Sequence, residues 1–69
     1  MTALISNRVR ELRVARGITQ IELAQSIGMT RQTVAAIEQR HYLPSLEAAF
    51  RLSRALECPL EMLFQWEGG

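Results

Sequence analysis

Few residues in this chain could do chemistry. One histidine, His41, and one cysteine, Cys58, cannot make a metal cluster or a nucleophile-base pair. His41 then reads as a loop residue, and Cys58 as a half-buried small side chain with no obvious basic neighbour to activate its thiol. The polar residues that stand out lie in SIGMTRQTVAAIE, residues 26–38, where Thr30, Arg31, Gln32 and Thr33 crowd into the turn after Gly28. All eight basic residues are arginine, whose planar fork suits phosphates and guanine edges. Spacing alone leaves two readings open at Thr30 to Thr33, a surface that faces a ligand or an ordinary solvated helix start. The arginine usage could likewise be a compositional bias.

Charge distribution says more than the formal net charge of +1. Residues 1–45 hold six Arg against three Glu, and residues 46–69 hold two Arg against four Glu. One end is therefore mildly cationic. The single cysteine excludes an internal disulfide and fits a reducing compartment, so a cytoplasmic location is expected. No apolar run approaches the ~20 residues that span a bilayer, and the N-terminus MTALISNR lacks the features of a secretory signal. A chain of 69 residues makes one domain, 1–69, that buries only about 60% of its unfolded surface. Its core is marginal, and a second subunit would help.

Glycine, proline and capping residues divide the chain into five short helices. The first is predicted from about Asn7 to Ala15, capped by Ser6, with Val9 and Leu12 inward and Gly17 as its stop. The second opens on the capping box Thr19-Gln20-Ile21-Glu22 and turns Leu23, Ala24 and Ile27 inward. The third follows Gly28 and Met29, with Thr30 as N-cap, Val34 and Ile37 inward, and Arg31, Gln32 and Ala35 outward. Arg40 to Pro44 is a loop, because Pro44 pushes Leu43 out of helical geometry. Ser45 then caps a helix from Leu46 to about Leu56, and Pro59 opens a last turn ending at Leu63. Met29 and Met62 read as gap-filling core.

The expected fold class is thus all-α, a compact five-helix unit. Leu63 to Glu67 alternates apolar and polar residues, and Thr2 to Ile5 is β-tolerant, so the two ends could pair as a short antiparallel ribbon. Within the second and third helices, Ala24 lets two short helices cross closely, and Gly28 can take the left-handed conformation that redirects the chain. This is helix-turn-helix geometry, in which the second helix projects its N-terminal turn outward.

The segments RVRELRVARGITQIELAQSIGMTRQTVAAIE, YLPSLEAAFRLSRAL and CPLEMLFQW together resemble the Cro/C1-type (XRE) helix-turn-helix regulators, in particular their short single-domain members. The resemblance covers about residues 6–66 and implies a lambda-repressor-like DNA-binding domain. It implies a sequence-specific transcriptional regulator, a repressor by preference, that binds a palindromic double-stranded DNA operator as a homodimer. By the same resemblance, Arg31, Gln32 and Ala36 match base-reading positions. Gln20 matches a phosphate contact, which the unpaired N–H groups of a helix end also favour. Thr30 and Thr33 fall at the head of the reading helix beside the backbone, and Arg40, His41 and Tyr42 match a loop lying along the sugar-phosphate chain. Arg13 and Glu38 match a structural salt bridge between the first and third helices.

The terminal segments, with Leu4, Phe64 and Trp66, match a small sheet at a dimer interface. Trp66 folded back over the fourth helix is the alternative reading. An antitoxin-like or adaptor protein that binds a protein partner, with DNA secondary, is the competing function. Nothing points to an enzyme, a cofactor, a small-molecule ligand or a membrane. Two departures from the family pattern matter. Gln39-Arg40 stands where a Gly or Asn usually ends the recognition helix, so either a non-Gly residue takes positive φ there or the helix ends differently. Cys58 replaces a Ser or Thr N-cap of the last helix, which predicts a weaker cap.

Overall fold

The computed structural model describes residues 4–69. Seven elements follow in order: β1 (Ile5–Asn7), α1 (Val9–Ala15), α2 (Gln20–Ile27), α3 (Arg31–Glu38), α4 (Leu46–Ala55), α5 (Leu60–Leu63) and β2 (Phe64–Trp66). The helices enclose one core of Val9, Leu23, Ala24, Ile27, Val34, Ile37, Leu52, Leu56 and Leu63. Every inward residue predicted for α2 and α3 is in that core, because the 3.6-residue period sets one stripe of each short helix inward.

Local signals specify most helix starts. The Thr19 hydroxyl accepts from the Glu22 N–H at 3.1 Å, and the Glu22 carboxylate accepts from the Thr19 N–H at 2.8 Å, completing the capping box. The hydroxyls of Thr30 and Ser45 accept from the N–H groups of Thr33 and Ala48. Four expectations need correction. Ser6 does not cap α1, nor does the helix start at Asn7: both lie in β1, and α1 begins at Val9 with Arg8 as its N-cap and no side-chain cap. The carboxamide oxygen of Asn7, one residue upstream of that cap, accepts from the Val9 N–H. Pro59 is the N-cap of α5 and not its first helical residue, and Cys58 makes no cap, its thiol lying 3.6 Å from the Pro59 carbonyl. Met62 is exposed, unlike Met29, because a four-residue helix can turn only one side inward and Leu63 takes it.

The helix stops answer the question posed by Gln39-Arg40. Arg40 takes φ +64, with its N–H bonded to the Ile37 carbonyl and the His41 N–H bonded to the Ala36 carbonyl. These are the paired hydrogen bonds of a left-handed helix stop. Gly17 and Gly28, at φ +71 and +72, end α1 and α2 in the same way. Glu57, at φ +51, ends α4, and that position carries no glycine signal at all.

β1 and β2 pair antiparallel in the register Ile5 with Trp66, Ser6 with Gln65 and Asn7 with Phe64. Among the described residues β1 starts at Ile5, and Thr2 and Ala3 of the β-tolerant stretch lie outside them. The ribbon is fastened to the helices by the Arg8 N–H on the Leu63 carbonyl and by the Asn7 carboxamide, which donates to the Ile37 carbonyl at 2.9 Å. A two-stranded ribbon is marginal in water. Here Phe64 packs on the helical core and anchors it.

Candidate nucleic-acid interface

Gly28 turns the chain so that α3 leaves α2 with Val34 and Ile37 buried and Arg31 and Gln32 exposed at its first turn. Thr30 and Thr33 sit beside them, their hydroxyls 3.0 Å apart. Ala36, one turn further on, is half-buried, and Arg40, His41 and Tyr42 follow on the loop with His41 and Tyr42 exposed. Thr30, Arg31, Gln32 and Thr33 thus form one outward surface at the head of α3. The opposite side of the same helix closes the core.

Behind this surface lies a charged hydrogen-bond chain. The Arg13 guanidinium donates to both carboxylate oxygens of Glu38, at 2.7 and 3.3 Å, and to the Ile18 carbonyl at 2.9 Å. The side chains of Arg13 and Glu38 are only 12% and 3% exposed, so this predicted pair is present and secluded from solvent. The Gln20 carboxamide donates to Glu38 Oε1 at 3.0 Å, and its oxygen accepts from Arg31 Nη1 at 3.2 Å. No spacing rule signalled these contacts, which join positions 18 and 11 apart on different helices.

Arg13, Thr19, Gln20 and Arg31 also line a shallow hollow at the start of α2. The N–H groups of Gln20 and Ile21 open that helix with no preceding helical carbonyl to receive them. The charge of Arg13 is already met by Glu38, so the Arg31 guanidinium and the helix N-terminus beside the hollow are what favour an anion. Arg40 is held at the other end of α3 by an ion pair of 3.3 Å to Glu67 beyond β2.

An exposed polar surface bearing an arginine and carried on the first turn of a helix suits the groove of a nucleic acid. The sequence matches the helix-turn-helix family model HTH_3 over residues 9–63. The chain belongs to the Cro/C1-type helix-turn-helix family. It is a DNA-binding transcriptional regulator. Among its relatives, an uncharacterized HTH-type transcriptional regulator of Bacillus subtilis, YgzD, is 43% identical over 63 residues, covering 91% of this chain and 96% of the relative. The cryptic phage CTXphi transcriptional repressor RstR of Vibrio cholerae is 33% identical over 60 residues, 87% of this chain but 54% of that protein. Among solved structures, the restriction-modification controller protein C.AhdI of Aeromonas hydrophila superposes with a TM-score of 0.74 at 34% identity, over 80% of this regulator and 83% of that chain. Among the described residues, no helix of the regulator is long and apolar enough to cross a membrane.

The second exposed feature of the regulator is apolar. Ile5, Leu43, Pro44, Leu46, Ala49, Leu60 and Phe64 line a groove between α4, the preceding loop and the ribbon. Trp66, paired with Ile5 and 63% exposed, borders it at the ribbon, Leu4 is exposed just before β1, and on α4 Leu46 is 70% exposed. The Trp66 indole donates to the Gly69 carbonyl at 3.3 Å. Sequence reasoning named only the ribbon end of this surface. The outward apolar positions of α4 carry no local signal that separates them from core positions.

Proposed function

We propose that this protein is a single-domain repressor, residues 1–69, that acts in the cytoplasm and binds a palindromic operator as a homodimer. The observation that carries the reading is the first turn of α3, where Arg31 and Gln32 stand outward on a helix whose other side is locked into the core. Arg31 can pair with guanine O6 and N7, and Gln32 with adenine N6 and N7. Ala36 offers a methyl one turn along. Thr30, Thr33, Gln20 and the Arg40 to Tyr42 loop lie where the phosphate backbone would flank that groove. The likeness to RstR, a repressor, supports the sign of regulation.

The apolar groove supports the dimer. A chain of this size with Leu43, Leu46, Phe50 and Trp66 exposed has an uncovered patch of the kind that marks a partner surface. A second copy on it brings two α3 helices to successive major grooves about 34 Å apart. An adaptor that uses the same patch for a different protein is the competing reading, and the oligomeric state of the pure protein separates them. The deciding experiment selects bound sequences from random duplex DNA and then measures affinity against salt. An enriched inverted repeat and a steep fall of affinity with salt are expected. No enriched motif sinks the proposal.

A further inference from the structure

Glu38 closes α3 and Arg31 opens it, yet the two are joined through a residue of another helix. The paired carboxylate of Glu38 only accepts hydrogen bonds. Both its oxygens take N–H groups of Arg13, and Oε1 also faces the Gln20 side chain at 3.0 Å. Gln20 must therefore present its NH₂ end to Glu38, which leaves its oxygen toward Arg31 Nη1 at 3.2 Å. A flipped amide would put oxygen against carboxylate and NH₂ against guanidinium, repulsive at both contacts. Arginine carries five donors in its fork, so the one spent on Gln20 leaves an edge free for a base.

We propose that Glu38 is a positioning residue for base recognition: by fixing the polarity of the Gln20 amide it holds the Arg31 guanidinium at one place in the groove. The buried Arg13–Glu38 pair then sets sequence preference as well as tying α1 to α3. This rests on the reading of Arg31 as a base contact. If Gln20 acted only on a phosphate, its loss would weaken all sequences alike. In the proposed arrangement its loss is felt at one base pair.

The test runs selections from random duplex DNA on the full chain and five variants, with thermal melting of each. Arg31→Ala identifies the base pair that Arg31 reads. Gln20→Ala and Glu38→Gln are each expected to relax that same base pair about 2- to 10-fold, the size of one hydrogen bond, and to leave the other positions unchanged. The double variant Gln20→Glu/Glu38→Gln reverses donor and acceptor at their contact and keeps an oxygen facing Arg31, so it is expected to restore the preference. Gln20→Glu alone sets two carboxylates together and is expected not to. If Glu38→Gln is unfolded at the assay temperature, Gln20→Ala decides, because it leaves the Arg13–Glu38 pair in place. Unchanged preference at that base pair in Gln20→Ala, or uniform weakening with no recovery in the double variant, overturns the coupling and leaves Arg31 a base contact. If Arg31→Ala relaxes no base pair, both readings fall.

Discussion

Arg40 combines a glycine-like backbone with a side chain proposed to touch DNA, and a pair of substitutions separates the two. At φ +64, its Cβ costs roughly 1–2 kcal/mol relative to an ordinary helical conformation. Glycine removes that cost but restores about 0.5–1 kcal/mol of freedom to the unfolded chain. Arg40→Ala and Arg40→Gly both lose the 3.3 Å ion pair with Glu67, so the pair cancels when the two variants are compared. The difference is the backbone alone. Arg40→Gly is expected to be more stable than Arg40→Ala by about 0.5–1 kcal/mol, or roughly 2–8 °C in melting temperature for a domain of this size. Thermal unfolding followed by circular dichroism reads it directly. If Arg40→Ala melts at or above Arg40→Gly, the left-handed stop is not strained and the reasoning fails. Both variants should lose DNA affinity equally, with the salt slope smaller by about 1 if Arg40 touches a phosphate. A slope equal to that of the unmodified protein removes Arg40 from the backbone contacts.

Other substitutions probe the remaining parts. Arg31→Ala should cost about 1–3 kcal/mol of binding and relax one base pair of the selected motif; an unchanged motif would place base reading elsewhere. Arg13→Ala strands a carboxylate that is 3% exposed and should destabilise by about 3–5 kcal/mol, toward the lower end because Gln20 still donates to it. Urea unfolding measures this, and a loss under about 1 kcal/mol would mean that water reaches Glu38 freely. Leu46→Glu, on the outer side of α4, should leave a folded monomer by light scattering. Trp66→Ser tests the ribbon end of the same surface, and dimers surviving in both variants would move the interface elsewhere.

Features encoded within one turn of helix were legible before any coordinates. Thr19, Thr30 and Ser45 cap as expected because a side-chain oxygen reaches an N–H two or three residues on whatever the rest of the chain does. Gly17 and Gly28 mark stops for an equally local reason. The outward polar turn of α3 follows from the same period that buries Val34 and Ile37. Where the local signal was shared between two positions it misled. Ser6 and Asn7 are both good caps, yet strand pairing at the terminus takes both, and α1 starts behind Arg8 with only the Asn7 carboxamide reaching its first N–H.

The rest depended on residues that only folding brings together. Arg40 and Glu57 adopt glycine-like backbone because the loops they start must reach fixed neighbours, a demand absent from their side chains. Met62 is exposed because the short α5 can bury only one side, and Leu63 occupies it. The contact of Gln20 with Glu38 and Arg31 requires the close crossing of α2 and α3, and the apolar groove requires α4, its preceding loop and the ribbon to meet. By itself, the sequence determined the five helices, the caps of α2, α3 and α4 and which surface of α3 faces outward, since each follows from interactions within a few residues. Only the tertiary structure decided which distant side chain bonds Arg31 and where the uncovered apolar surface lies, because both are properties of several elements at once.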